Sequence, residues 1–307
     1  MNLNILITGA GGFIGKNLTE HFSNVGYNVF GAGHKDLELL DEQAVKSYIE
    51  KNKINFIIHC AATGGSRLTG YDKDKNDVVN ANLQMFKNLQ KCLTSQMRMI
   101  SFGSGAEYDK SRGLAKISEA DFGKLVPQDD YGYAKYLISK EIEHAGNITC
   151  LRIFGLYGKY EDYRFKFISN AIVKNLLKMP IVINQNVVFD YLFLEDFLHI
   201  IETFIKNPPK QKCLNITPTE SVDLVKIANI INEISEFKSE IIVKNEGLNN
   251  EYTASNKNLL KELGGAFKFA TYKQGIEKLY NYYKENLDNL DLEIVKQDKY
   301  IKHCKTK

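Results

Sequence analysis

Through the first half of the chain, short apolar runs alternate with stretches of helical spacing. Leu3–Thr8 is an apolar run that ends in glycines, and Phe13–Ser23 follows with the spacing of an amphipathic helix. Asn28–Ala32 predicts a second strand and Glu42–Lys51 a second helix. Asn55–Ala61 is a third strand, apolar apart from His59. A helix over Asn82–Ser95, a strand over Met97–Phe102 and a helix over Asp130–His144 continue the alternation. Strands that are apolar on every residue must be covered on both faces, which predicts a parallel sheet between helix layers. Right-handed crossovers then make the architecture α/β and doubly wound.

Beyond Leu156 the pattern loosens. Tyr157–Arg164 reads as a loop, Lys166–Leu177 as a helix, and Pro180–Ile183 and Val187–Leu192 as short strands. The helix Asp196–Ile205 is stopped by Asn207-Pro208-Pro209. Helices over Leu224–Ser235 and Tyr272–Lys284, with a strand at Ile241–Val243 between them, complete the reading. The expected organisation is a doubly wound domain over 1–158 and 187–217 and a smaller, interleaved α/β domain over 159–186 and 218–285. A charged, peripheral tail over 286–307 follows.

Composition narrows the class. The 307 residues are 44% apolar and 25% charged with 5 Pro, which excludes collagen-like, disordered and disulfide-scaffold chains. A net charge of +3 from 40 basic and 37 acidic residues gives no argument for nucleic acid. No apolar run reaches the roughly 18 residues of a membrane span. No charged leader stands before the first strand, and Cys60, Cys92, Cys150, Cys213 and Cys304 are odd in number and widely spaced. The expectation is a reduced, cytoplasmic protein with no metal site.

Gly9-Ala10-Gly11-Gly12-Phe13-Ile14-Gly15 lies between the first strand and the first helix. In that context Gly9 permits the turn, Gly12 lets a pyrophosphate approach the helix N-terminus, and Gly15 lets the helix pack on the strand, as in a dinucleotide-binding Rossmann fold. An acid about 20 residues further on normally takes the ribose 2′-hydroxyl of NAD. Here Ala32-Gly33-His34-Lys35 stands at that place. A cation suits a 2′-phosphate, so NADP is favoured, while Asp36 leaves NAD open and a solvated loop is the plainer reading of His34 and Lys35.

Tyr131 and Lys135 are one turn apart on one helix face, so an ammonium can stabilise a phenolate. Tyr136 and Lys140 repeat the spacing, and spacing alone does not choose between the pairs. Upstream, Ser104 ends a strand among small residues, at the strand edge where ligands of such sheets bind; a turn residue is the plainer reading.

Together these segments resemble the extended short-chain dehydrogenase/reductase family, in its group of nucleotide-sugar epimerases, dehydratases and reductases, over most of the chain to about residue 285. The resemblance rests on Thr8 to Gly15, His59-Cys60-Ala61-Ala62-Thr63, Asn82, Ser104 before Tyr108, and Tyr131-Gly132-Tyr133-Ala134-Lys135. Leu151 to Gly158 and Phe189 to Asp196 extend it. It selects the Tyr131 pair and implies Ser104, Tyr131 and Lys135 as catalytic residues. It implies Gly9, Gly12, Phe13, Ile14, Gly15, His34, Lys35, Glu38, Leu39, Ala61, Ala62, Thr63, Asn82, Ile153 and Phe154, with Tyr131 and Lys135, at the coenzyme. Gly64, Gly105, Ala106, Gly155, Arg164, Lys166 and Tyr191 are implied at a nucleotide-diphosphate sugar.

Departures from the family pattern shape the expected reaction. Dehydratases carry Thr-Asp-Glu where Ser104-Gly105-Ala106 stands, and Glu107 comes one residue too late to replace the acid. The stretch His34 to Asp41, with Ala61 to Gly65, is similar to the GDP-fucose synthase-like branch of 4-ketoreductases. That branch epimerises with a Cys and a His where Ala106 and Lys166 stand. The implied activity is therefore NADP(H)-dependent reduction of a 4-keto nucleotide sugar, by a homodimer paired through the helices near Asn82–Ser95 and Tyr131–His144. An NAD-dependent 4-epimerase, a non-catalytic dinucleotide sensor and a reductase of a steroid-like ketone remain as alternatives. Gly155 and Phe189 replace the family's usual Asn and Arg, and Lys159, Arg164 or Lys166 could supply the cation that a diphosphate needs.

Overall fold

A computed structural model describes residues 3–65, 77–302, 304, 306 and 307. The chain forms two compact units. The first comprises Met1–Ser111, Ser118–Ile153 and Ile201–Ile216, and the second Arg112–Ile117, Phe154–Ile200 and Thr217–Lys307.

The first unit is built on a six-stranded parallel sheet. Its strands are β1 (Asn4–Thr8), β2 (Asn28–Ala32), β3 (Phe56–His59) and β4 (Arg98–Ser104), with Ile148–Ile153 and Cys213–Ile216. Their spatial order is Cys213–Ile216, Ile148–Ile153, β4, β3, β1, β2. Helices α1 (Phe13–Asn24), α2 (Glu42–Lys51), α3 (Val78–Lys91) and α4 (Asp130–Glu143) connect them. Leu6 and Ile57 pack with Val45 and Ile49 of α2, Phe86 and Leu89 of α3, and Ile138 and Ile142 of α4. Ile5, Ile7 and Ile58 point to the opposite face and are also fully buried, so the sheet is covered on both sides as its unbroken apolar runs require. The α/β doubly wound class is thus what the chain adopts.

Thr8 is in register with Ala32 on one side and His59 on the other. Strand order reverses between β1 and β3, and the carboxyl ends of those two strands mark the position where open α/β sheets bind ligands.

The second unit is mixed. Helices Phe167–Leu176, Leu224–Ile234 and Tyr272–Glu285 and the strand Ile181–Asn186 share a core that includes Ile168, Ile172, Ile183, Ile227, Ile231, Ile276 and Leu279. The strand Leu114–Ile117 pairs with Tyr252–Ala254, which carries residues 112–117 into this unit. Residues 154–158 and 187–200, expected with the doubly wound domain, also fall here. The reason is local: strand Gly155–Tyr157 pairs with Tyr191–Phe193. The tail is not peripheral either. Val295 and Tyr300 are buried in the second unit's core, and Asp298 pairs with the buried Lys174 at 2.6 Å.

Element limits differ from the pattern where a polar side chain caps or interrupts an element. α3 begins at Val78, because Asp77 accepts the Asn80 N–H and starts the helix early. Val187–Leu192 divides around Asp190, whose buried carboxylate binds the Ser221 hydroxyl and the Ala254 N–H.

Candidate active site

The glycine turn leaves β1 with Gly9 at a φ of +66°, where a Cβ would stand 2.9 Å from Ala61 Cα. A side chain at Gly15 would collide with the Gly9 carbonyl, so this glycine seats the helix on the turn itself rather than on a strand. Gly12 differs: a Cβ there would meet only the Gly9 carbonyl oxygen at 3.4 Å, and Gly12 borders a cleft. It caps α1 without a side-chain hydrogen bond, and no acid stands in the first turn. That helix end keeps its N–H groups and positive dipole for an anion, which fits a dinucleotide pyrophosphate.

The cleft measures about 490 Å³ and is lined by Gly9, Gly12, His34, Glu38, Leu39, Ala61, Ala62 and Thr63, among others. Phe13 and Ile14 are half-buried at the helix start and do not line it, and neither does the exposed Lys35. Asp36 turns its carboxylate back on the Gly33 N–H at 2.8 Å. Glu38 accepts the Leu40 N–H at 2.9 Å and lies 3.5 Å from the His34 ring. Asn82 pins the far wall: its amide binds both the N–H and the carbonyl of Thr63 and donates to the Val78 carbonyl.

Behind that wall Thr8 and His59, both within motifs of the family pattern, are joined by a bond that the sequence did not reveal. The Thr8 hydroxyl oxygen accepts from the N–H groups of Cys60 and Ala61 at 3.2 Å, so its own proton goes to His59 Nδ1 at 2.9 Å. Burial, helped by the charge of Lys135, pushes the His59 imidazole down to about 3, so the ring is neutral at pH 7.

α4 brings Tyr131 and Lys135 to the carboxyl end of β4. Asp129 caps the helix through the Gly132 N–H, and Gly132 is bare because Ala106 and Asp129 press on it. Tyr131 is half-buried, with Gly65 against its ring. Lys135 is 4% exposed, lies 5.9 Å from the Tyr131 ring centre and donates to the Phe102 carbonyl at 2.8 Å. Burial pushes its ammonium below the ordinary lysine range, and Glu107 opposes that fall. Ser104 ends β4, and its hydroxyl oxygen accepts the Ala106 N–H at 3.1 Å, leaving the O–H as a donor. Gly105 and Ala106 are buried, and Ile153 and Gly64 are half-buried in the same unit.

The remaining candidates sit in the second unit. Phe154 packs on the Tyr252 ring, and Gly155 is bare because Tyr191 and the Asp190 carbonyl crowd it. Tyr191 is half-buried. Arg164 forms a two-pronged pair with Asp162, and Lys166 is exposed at the start of Phe167–Leu176. Glu161, fully buried, binds the Ser169 hydroxyl, and burial raises its carboxyl to about 7 against the pull of Lys166.

A profile of the NAD dependent epimerase/dehydratase family matches residues 5–217. The chain belongs to that family. As a member of it, the chain is 22% identical to GDP-L-colitose synthase of Yersinia pseudotuberculosis, over 94% of its own length and all of the relative's. It is 26% identical to GDP-6-deoxy-D-talose 4-dehydrogenase of Aggregatibacter actinomycetemcomitans, over 91% and 97% of the two chains. The solved GDP-mannoheptose C4 reductase of Campylobacter jejuni, with NADP bound, superposes with a TM-score of 0.76 at 17% identity. That match covers 92% of this chain and 98% of the reductase. Membership of that family supports a nicotinamide dinucleotide as the cofactor. Among the described residues no helix is long and apolar enough to cross a membrane, and no cluster of His, Cys, Asp and Glu forms a metal site.

Proposed function

We propose that this family member is an NADP(H)-dependent oxidoreductase that reduces a 4-keto nucleotide-diphosphate sugar to the 4-hydroxy sugar. The observation that carries the reading is the buried Lys135 ammonium one helical turn from Tyr131. When bound, the nicotinamide supplies the hydride that reaches the sugar C4. The carbonyl electron pair then moves to the oxygen, which takes the Tyr131 proton. The Lys135 charge favours the phenolate left behind, and the Ser104 O–H orients the same oxygen. Solvent returns the proton to Tyr131.

His34 lines the cleft, Lys35 follows it, and the Asp36 carboxylate is occupied by Gly33, which favours a 2′-phosphate over a 2′-hydroxyl and hence NADP over NAD. The relatives named above act, by their names, on GDP-linked sugars, and two of those names specify position 4. Elimination of water is disfavoured, because Ala106 brings no ionisable group and Glu107 is committed to Arg152 at 2.6 Å. The exposed Tyr133 on α4, with Leu125 and Val126 just before that helix, supports a homodimer that uses α4. The cysteines, none of them bridged, suit a reducing compartment such as the cytoplasm.

The test uses NADPH deuterated at C4 with 4-keto nucleotide sugars. Deuterium appearing at the sugar C4, with coenzyme consumed one for one, supports the reductase. Interconversion of sugars without net coenzyme loss makes the protein a 4-epimerase instead.

A further inference from the structure

Glu107 is fully buried, next in chain to the serine strand, and takes no part in the chemistry above. One carboxylate oxygen accepts the Ser104 N–H at 2.8 Å. The other accepts the Ser139 hydroxyl and Arg152 Nε, each at 2.6 Å. Ser139 stands one turn beyond Lys135 and two beyond Tyr131, so the inner face of α4 is tied once to β4 and once to the turn that follows it. Lys135 reaches the Phe102 carbonyl, and Ser139 reaches Glu107. Gly103 is bare because the Glu107 carboxylate and the Cys150 thiol fill the space where its side chain would go. A carboxylate needed only to neutralise Arg152 would not require the serine backbone and the tyrosine helix as further partners.

We propose that Glu107 is a positioning residue for the Ser104, Tyr131 and Lys135 site, fixing the serine relative to the helix that carries the other two; this rests on the reading of that site given above. Glu107 also acts through charge, since it opposes the loss of the Lys135 proton that burial favours. The groups facing Lys135 are Glu107, Cys150, Cys60, His59 and the Tyr131 ring, and those facing Glu107 are Arg152, Tyr108, Cys150, Cys213 and Lys135. Removing the carboxylate removes an anion, so the Lys135 ammonium is lost at lower pH than before.

The experiment compares wild type with the charge-neutral pair Glu107→Gln plus Arg152→Met, which avoids stranding a buried guanidinium. Expected are NADPH affinity within twofold of wild type, kcat down about tenfold at unchanged KM, and an alkaline limb of the rate profile about half a pH unit lower. Ser139→Ala keeps both charges and serves if the pair fails to fold. It should lower kcat severalfold without moving the limb. Wild-type kcat and an unmoved limb in the folded pair, or wild-type kcat in Ser139→Ala when only that variant folds, overturn the proposal. Tyr131→Phe run alongside separates the cases: activity surviving there removes the site itself, whereas activity lost there but intact in the Glu107 and Ser139 variants removes only this inference.

Discussion

Tyr131–Lys135 and Tyr136–Lys140 share one helix, one spacing and one chemistry, yet they live in different environments. Lys135 is 4% exposed and bound to a main-chain carbonyl, while the Lys140 side chain is 46% exposed and paired with Glu143 at 3.0 Å. Tyr131 packs against Gly65 beside the end of β4. Tyr136 lies among Phe122 and Tyr133, with ring centres at 5.0 and 6.5 Å. A short helical rotation therefore separates a pair that can tune a proton from a pair that can only solvate or pack. The difference comes from desolvation, which the spacing does not encode.

The largest expected effect separates the two phenols. Tyr131→Phe should cut turnover roughly 10²–10⁴-fold with NADPH affinity within twofold, while Tyr136→Phe turns over like wild type. Steady-state rates and coenzyme titration decide it, and equal losses in both would erase the distinction. Next come the amines: Lys135→Met should lower kcat about 10²-fold, and Lys140→Met should change neither kcat nor, beyond about 0.5 kcal/mol, stability.

The buried amine also leaves a mark on stability. His59 takes up its proton near 6.5 in the unfolded chain but near 3 in the folded one. Between those values the unfolded state binds more protons, so stability falls as pH falls, by about 2 kcal/mol from pH 6.5 to 5. Burial is the larger cause and Lys135 the second, so urea unfolding at pH 3–4 should show a smaller acid loss in Lys135→Met than in Lys140→Met. The smallest effect concerns packing: Tyr136→Ala should lower stability by about 1 kcal/mol through its ring contacts, with kcat intact in the folded fraction.

Much of the first unit was legible before any coordinates. β2 and α2 have the limits their patterns predict, because apolar runs and helical spacing there agree with burial on the sheet. The strands Ile148–Ile153 and Cys213–Ile216 were not assigned, since Arg152 and Asn215 interrupt runs that are apolar elsewhere. Both polar residues are buried and held from afar, Arg152 through its Nε by Glu107 and Asn215 by the Tyr108 hydroxyl at 2.7 Å. In the second unit the strands are two to four residues long at Val188–Phe189, Tyr191–Phe193 and Leu114–Ile117, too short for a period of two to show. At the site, the glycines and the tyrosine–lysine pair were visible because their spacing is local. Ser139 was not, and neither were the partners of Thr8, His59 and Glu107, because each lies far along the chain.

The most direct measurement follows nicotinamide absorbance after mixing protein with NADPH and a panel of 4-keto nucleotide sugars, beginning with GDP-linked ones. The account predicts net oxidation, one coenzyme per 4-hydroxy sugar formed, abolished in Tyr131→Phe and preserved in Tyr136→Phe. Oxidation that persists in Tyr131→Phe, or no oxidation with any sugar despite bound coenzyme, would contradict it.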